Sequence, residues 1–349
     1  MPDELHLNVQ LLRRRVPNLT VAARSVGLRS ATVSDLCSGK IPLGRAEVRT
    51  LVALADLAGC TLDELVIRGA EAQMIETGIK VLDLFAPLVR GGSAGLVARK
   101  GMGQMVVLQE LVRRLRQRGL GTVVWLPGDG NPFMQKEIAA EADAAGSSLE
   151  EIRGAIAALP ADRDVLVAAD RETALSGELD ALREQLGDRL VTFALVDAGG
   201  DTPDEDVPYG PLETLWRFDV DLMARGILPA VDPVSSTSTL LEGAHLDTTH
   251  LAVQQRARKL LRRYRELLAV ARVRGVEQLS APDQQTYRRG ERLEAFLTQP
   301  FYVAEPFTKQ AGQWVTAQAT VEGVRRLLEG AADEVEAPAL KGLGPLPTR

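Results

Sequence analysis

A glycine-bearing loop is the first candidate for chemistry in this sequence. It runs from Ala98 to Met105 as Ala-Arg-Lys-Gly-Met-Gly-Gln-Met, between the apolar run Ala94–Ala98 and the helical pattern Val106–Arg118. In phosphate-binding loops, backbone amides and a helix N-terminus cradle the phosphate, a lysine contacts the outer phosphates, and a serine or threonine hydroxyl holds magnesium. Gln104 and Met105 occupy the lysine and hydroxyl positions here. Taken alone, the loop is therefore better interpreted as a plain strand–turn–helix connection.

The remaining reactive residue types add little chemistry. Lys100 could replace the missing lysine from a different backbone position, although a solvated loop lysine is the more ordinary interpretation. The two cysteines and three histidines are scattered, so no metal site is expected. The formal net charge is −6, yet residues 1–68 carry nine Arg and Lys against seven Asp and Glu. This mild asymmetry fits a small polyanion-binding head on an acidic body.

The elements around the loop alternate between strands and helices. Predicted strands are 94–98, 122–126, 164–169 and 190–196, and predicted helices are 106–118, 135–144, 149–159 and 172–186. This alternation predicts a parallel sheet with helices on its faces. Residues 250–332 are almost entirely helical in pattern, and the Pro- and Gly-rich tail after Glu336 is expected to be loose.

The first seventy residues favour a bundle of short helices. Within Thr20–Ser34, Ala23 supplies the small residue that a close helix crossing needs, and Gly27 supplies a tight turn. Val33 and Leu36 lie three apart on one face of the second helix and predict its apolar anchors. Together with Leu36–Lys40, Val48–Ala58 and Thr61–Leu65, this segment resembles the Cro/phage-repressor-like family of helix-turn-helix domains over about sixty residues. That resemblance implies an all-α, DNA-binding head.

The outer face of the second helix carries the candidate contacts to double-stranded DNA. Arg29, Ser30 and Thr32 are expected to face a major groove, and Lys40 follows the helix. Asp35 lies in the same helix, and phosphates would repel it. A helical module that binds only protein is the alternative.

Longer motifs resemble the rotary ATP synthase beta subunit. They are Glu76–Pro87 followed by Gly91-Gly92, Leu228–Pro233 followed by Ser235–Thr239, Val276–Ser280, and Arg288–Phe307. The resemblance covers about residues 75–335, with the motifs in the same order. It implies a RecA-like parallel-sheet core and an α-helical C-terminal domain, with the helix-turn-helix in place of the family's N-terminal β-barrel.

Departures from that family decide the expected chemistry. The resemblance puts Gln104 and Met105 in place of the phosphate-loop Lys and Thr, Asp129 in place of the catalytic Glu, and Thr239 in place of an arginine finger. A displaced general base loses much of its effect, and a missing finger removes transition-state stabilisation. Leu228 replaces the aromatic residue that stacks on adenine. Hydrolysis of ATP is therefore not expected.

Some family features survive, and they define the remaining candidate nucleotide site. Asp197 ends a strand as a candidate magnesium acid, and Phe301 and Phe307 remain at adenine-pocket positions, where plain core packing is an equal interpretation. With Gly101, Gly103, Gln104 and Leu228, they form the expected site. ATP or ADP would bind weakly or not at all.

The sequence thus predicts a multidomain chain. Residues 1–70 form the head, 71–245 the core with its degenerate phosphate loop, 246–335 the helical domain and 336–349 the tail. The favoured function is DNA binding by a homo-oligomer whose core is a catalytically inactive scaffold. The alternatives are an active DNA-associated motor and a protein partner of a rotary ATPase.

Location is predicted from what the sequence lacks. No apolar run approaches the ~20 residues that span a bilayer, and the N-terminus has no apolar signal region. A cytoplasmic protein with reduced cysteines is therefore expected.

Overall fold

The computed structural model describes residues 5–16, 19–37, 40–68, 73–126, 132–187, 189–200, 209–210, 212–241 and 245–347. The chain forms two compact units. The first comprises Met1–Gln73 with Thr239–Thr248, and the second comprises Met74–Ser238 with Thr249–Arg349. The predicted end of the head at residue 70 lies close to the first boundary. The predicted core and C-terminal domain, in contrast, belong to one unit.

The first unit is a small helical fold closed by a two-stranded ladder. Its elements are β1 Leu5–Leu7, α1 Val9–Arg15, α2 Leu19–Ser25, α3 Ser30–Cys37, α4 Val48–Ala58, α5 Leu62–Leu65 and β2 Val66–Arg68. β1 pairs antiparallel with β2, although the sequence predicts only short helices for the first seventy residues. The Asn8 side chain accepts a hydrogen bond from the Leu11 N–H, so α1 begins only after residue 8.

Local signals mark several helix ends in this unit. Thr61 and Glu64 form a reciprocal capping box at the start of α5, so Thr61 is the N-cap of that helix. Ala23 is fully buried, as are Leu12, Leu54 and Leu65. Gly27 has φ +76°, a left-handed conformation that glycine adopts at little cost, and it separates α2 from α3.

The second unit opens with a short ladder and a buried helix. β3 Met74–Ile75 pairs antiparallel with β4 Leu88–Val89, and α6 Lys80–Phe85 lies between them in the chain. Every residue of α6 is buried, including Lys80 and Asp83. This helix therefore belongs to the centre of the unit and not to its surface.

A seven-stranded sheet forms the centre of the second unit within the described residues. Its strands are β5 Ser93–Val97, β6 Gly121–Trp125, β7 Ala144–Gly146, β8 Val165–Asp170, β9 Val191–Val196, β10 Thr214–Arg217 and β11 Thr237–Ser238. The order is β11-β10-β5-β9-β8-β6-β7. The pairs are parallel except for β10 with β11, so the predicted parallel sheet carries an antiparallel edge strand.

Helices cover this sheet and continue toward the C-terminus. They are α7 Gln104–Gln117, a π-helical turn Met134–Ile138, α8 Ala139–Glu141, α9 Leu149–Ala158, α10 Arg171–Leu175, α11 Glu178–Leu186, α12 Val220–Ala224, α13 Thr248–Arg274, α14 Ala281–Leu297, α15 Glu305–Thr308 and α16 Ala317–Leu328. The predicted helix 172–186 is split between α10 and α11 at Gly177, which has φ +83°.

Apolar side chains alternate between the two faces of the sheet. Leu96 and Ala168 belong to one core with the apolar residues of α7, and Val97 and Val167 belong to a second core with α9 and α11. Because the strands are buried on both faces, they read as continuous apolar runs in the sequence.

The segment after α16 is packed. A 3-10 turn over Ala337–Leu340 buries both of its end residues, and the Gly342 N–H donates a 2.7 Å hydrogen bond to the Thr298 hydroxyl. The Lys80 ammonium donates to the carbonyl oxygens of Phe296 and Leu343, the latter at 2.6 Å. These contacts correct the expectation of a loose tail for residues 337–347.

Candidate functional site

The glycine-bearing loop connects β5 to α7 as a compact turn. The Met102 N–H donates to the Arg99 carbonyl, and Gly101 and Gly103 both have φ +86°. Gly103 is also the N-cap residue of α7. Since left-handed backbone strains other residues by about 1–2 kcal/mol, these two glycines explain why the loop closes here.

The two positions expected to bind the phosphates do not present an exposed polar side chain. Gln104 is the first residue of α7 and is only 2% exposed. Met105 is half-buried and packs against the core of the unit. Arg99 and Lys100, the two cations of the loop, are exposed. No cation or hydroxyl from positions 104 and 105 therefore reaches the space in front of α7.

Two acidic residues end neighbouring strands beside this loop. Asp170 ends β8 and Asp197 follows β9, and both are less than 9% exposed. Asp170 caps α10 by accepting from the Glu172 N–H, and it also accepts from the Ala198 N–H at 3.4 Å. Burial raises the pKa of Asp170, and the nearby charge of Asp197 adds to this effect.

Paired carboxylates at the carboxyl edge of a parallel sheet are the oxygen ligands that magnesium prefers. The sequence singled out Asp197 alone. Asp170 was missed, although it ends an apolar strand in the same way and that signal could have revealed it.

The loop after β9 rests on the glycine-bearing loop. A β-carbon on Gly200 would lie 2.8 Å from the Lys100 Cα and 2.9 Å from the Arg99 carbonyl carbon. Gly200 also has φ +82°. Only glycine therefore fits this position, and the close approach places the backbone after Asp197 against the backbone of residues 99–100.

A cavity of about 420 Å³ opens beside the N-terminus of α7. It brings together three predicted site residues, Gly103, Leu228 and Phe301. Gly101 and Gln104 do not line it. Phe307 does not line it either and is 86% exposed, so in this structure it neither borders this cavity nor packs in the core.

The lining of this cavity is mostly apolar with a few polar groups. Val106, Met223 and Pro300 contribute apolar surface, while Gln310 and Lys341 contribute polar groups. A cavity of this size and character suits a planar apolar group with few hydrogen-bonding atoms. Because Leu228 is 48% exposed and is not aromatic, stacking on that side is lost.

A buried ion pair fixes one wall of the cavity. Arg114 and Glu110 of α7 are fully buried and pair at 2.6 Å. Glu110 accepts from the N–H groups of Tyr302 and Val303, both at 3.0 Å, directly beside Phe301. Since both charges have hydrogen-bonding partners, the pair holds the chain after α14 against α7.

Arg114 also reaches two further segments. Its two terminal nitrogens donate to the carbonyl oxygens of Gly78 and Gln313, both at 2.8 Å. The Gln299 side chain donates to the same two oxygens and accepts from the Lys80 N–H. The side chains of Arg114 and Gln299 thereby provide hydrogen-bonding partners for buried backbone groups, and they connect four segments of the chain.

Two predicted catalytic equivalents have no geometry at this site. Asp129 lies outside the described residues. Thr239 begins a short 3-10 turn, Thr239–Leu241, and that stretch is grouped with the first unit.

The candidate DNA contacts of the first unit differ in accessibility. Arg29 is exposed, whereas Ser30 and Thr32 are half-buried. The Arg24 guanidinium donates a 2.9 Å hydrogen bond to the Ser30 hydroxyl. Lys40 pairs with Asp35 at 3.7 Å, which offsets the acid that sequence reasoning expected to repel phosphate.

Two other kinds of site are absent from the residues that the structure describes. No helix among them is both long and apolar enough to cross a bilayer. In the same part of the chain, no group of three or more His, Cys, Asp and Glu residues is arranged to hold a metal ion.

Known proteins resemble this chain in two ways. Residues 242–336 match the family described as the C-terminal domain of V and A type ATP synthase. A solved ATP synthase subunit, NeqB from Nanoarcheaum equitans, superimposes with a TM-score of 0.57 at 20% sequence identity, covering 75% of this chain and 78% of that chain. The chain therefore has an ATP synthase-like fold, with an α/β core followed by a helical region.

Proposed function

We propose that this chain is a DNA-binding protein whose ATP synthase-like core does not hydrolyse nucleotide and serves as an oligomerisation scaffold. One observation carries the statement on hydrolysis. The position expected for the phosphate-binding lysine is Gln104, and its side chain is buried at the start of α7. Such charge stabilisation typically contributes several powers of ten to the rate of phosphoryl transfer.

Nucleotide binding, where it occurs, would depend on the base. The cavity beside Gly103 and Phe301 can take a planar group, but positions 104 and 105 offer the phosphates neither a cation nor a hydroxyl. The carboxylates of Asp170 and Asp197 would repel phosphates unless a divalent ion lay between them. ATP and ADP are therefore proposed as weak ligands.

DNA binding is proposed for the first unit. The support is the arrangement of α2 and α3, which are joined at Gly27 and packed through Ala23 and Val33. Exposed Arg29 and Lys40 supply the cations that phosphate contacts need. Several such heads carried by one oligomer would gain affinity through multivalent binding.

A second candidate function is a partner of a rotary ATPase. The match of residues 242–336 to the V and A type family favours it, because surfaces of that domain could pair with related subunits. In that case the first unit would bind protein. An active motor is disfavoured by Gln104 and Met105.

ATPase and gel-shift assays on one purified sample test the proposal. We expect duplex DNA to be shifted, with ATP turnover at background with or without DNA, and light scattering to show an oligomer. Turnover that disappears in Asp129→Ala or Asp170→Asn would overturn the proposal in favour of the motor. Failure of both residues 1–73 and the full chain to shift duplex at low salt would favour the protein-partner function, and a strict monomer would remove the scaffold role.

A further inference from the structure

Helix α13 concentrates positive charge in a chain that is acidic as a whole. It contains one acidic residue, Glu266, and eight basic residues, namely Arg256, Arg258, Lys259, Arg262, Arg263, Arg265, Arg272 and Arg274. Arg258 and Arg265 turn inward, where they donate to carbonyl oxygens and to Asp232. These inward contacts account for Arg258 and Arg265 but not for the basic residues on the outward side of α13.

The outward side of α13 borders a groove of about 380 Å³. Arg256, Lys259 and Arg263 line it from α13, and Gln285, Thr286 and Arg289 line it from α14. Arg263 pairs with Asp283 at 2.9 Å and Arg289 pairs with Asp333, so these two guanidinium groups are held in place. All of these residues belong to the second unit.

Within the described part of the chain, the side chains of Arg256 and Lys259 have no acidic partner and make no hydrogen bond, and both residues are exposed. Two unpaired cations beside two anchored guanidinium groups attract a polyanion from solution.

We infer that this groove binds the phosphate backbone of duplex DNA. This goes beyond the function proposed above, which places DNA binding in the first unit. Arg, Lys, Gln and Thr are the side chains that contact phosphates in protein–DNA interfaces. At 1.5 Å per residue, the row from Arg256 to Arg263 spans about 10 Å. Its cations are therefore spread widely enough to contact more than one phosphate of the backbone.

The residues that line the groove favour duplex DNA over a single strand or an acidic peptide. Among the described residues, no aromatic side chain lines the groove, so single-stranded bases would find no stacking platform. Its apolar surface comes from Leu260 and Leu328, which offers an acidic peptide little to anchor on. The phosphate backbone of a duplex can bind through charge alone, without aromatic side chains for base stacking and without apolar anchoring residues.

The test compares full-length variants in a duplex-binding titration over about 50 to 200 mM salt. Arg256→Ala with Lys259→Ala should weaken binding about tenfold at the lowest salt and reduce the salt slope by about 1 for each lost contact. The matched control, Arg272→Ala with Arg274→Ala, removes the same charge from the same helix and should stay within about twofold of the wild type. Circular dichroism melting checks that both doubles fold.

Several outcomes would overturn the inference. Equal effects of the two double variants would mean that only net charge matters. Equal competition by single strands or polyglutamate would mean that the occupant is not a duplex. If Arg29→Ala with Lys40→Ala abolishes binding while the α13 double does not, the first unit alone binds DNA, and the inference fails while the proposed function stands.

Discussion

Gly200 lies directly against the backbone of Lys100. Two loops that follow different strands of the sheet, β5 and β9, therefore touch through main-chain atoms. Each loop limits where the other can go, because no side chain lies between them to give way. The glycine-bearing loop is thus supported from one side by residues that sequence reasoning did not connect with it.

Replacing Gly200 measures this contact. Gly200→Ala must accept both a strained φ and a collision with Lys100, whereas Gly177→Ala accepts a similar φ of +83° with nothing within 4 Å. We expect Gly177→Ala to destabilise by about 1–2 kcal/mol and Gly200→Ala by roughly 1–3 kcal/mol more. Urea unfolding compares them, and equal losses would show that the loops do not depend on each other.

Arg114 should not tolerate lysine. Its guanidinium donates to Glu110, Gly78 and Gln313 in three directions, and one ammonium cannot reach all three. Arg114→Lys should lower the free energy of unfolding by about 3 kcal/mol, since buried partners are left unpaired. Arg325→Lys at an exposed pair is the control and should change it by less than about 1 kcal/mol. A loss no larger than the control would mean that the buried pair does not hold the unit together.

Asp83 predicts a specific pH dependence. Burial raises its pKa to about 7, although hydrogen bonds from Thr77 and Gly78 act in the opposite direction. The unfolded chain has the ordinary value of about 3.9. The folded protein therefore binds more protons between these values, so the stability contributed by Asp83 is complete below about pH 4 and is lost as the pH rises through 7.

Asp83→Asn should remove that loss. The difference in free energy of unfolding, variant minus wild type, should become more positive as the pH rises from about 5 to 7.5, as measured by urea titration. Asp232→Asn is the comparison. Burial alone would raise the pKa of Asp232, but Arg265 holds it below its ordinary value, so its relative stability should stay constant over this range. A constant difference for Asp83→Asn would mean that Asp83 is already ionised at pH 5.

The candidate DNA contacts of the first unit predict opposite effects of neighbouring substitutions. Arg29→Ala with Lys40→Ala should weaken duplex binding and lower the salt slope by about 1 per contact. Asp35→Ala should strengthen it, because it removes a like charge near phosphate and releases Lys40 from its ion pair. Arg49→Ala, on α4, is the matched control in the same gel-shift series. If none of these substitutions changes duplex binding, the first unit has no role in DNA binding.

The sheet could be predicted wherever a strand was long and buried on both faces. β5, β6, β8 and β9 were found because each is a run of apolar residues between turn signals. β7, β10 and β11 were missed because they are short and lie toward the edges, where pairing with a distant segment stabilises two to four residues. β1 and β2 were missed for the same reason, since Leu7 and Val66 pair across the whole first unit.

The candidate site was predicted only in part. Glycine positions and the substitutions at Gln104 and Met105 can be read directly from the chain. The hydrogen bonds between Glu110 and residues 302–303 cannot be read from the chain. No local sequence signal shows that a charged residue on an apolar helix face is buried and paired with a distant segment. Phe307 was placed by resemblance alone, and resemblance does not fix which side of a single helical turn faces a cavity.

The Lys80 ammonium finds one of its two acceptors 263 residues further along the chain, at Leu343. During synthesis, α6 and the strands of the sheet leave the ribosome well before that acceptor exists. At about 5–20 residues per second, the delay is roughly 10 to 50 seconds. The second unit is therefore expected to complete its packing only when residue 343 has been added, and a nascent chain paused before that point would hold a buried cation with one partner missing.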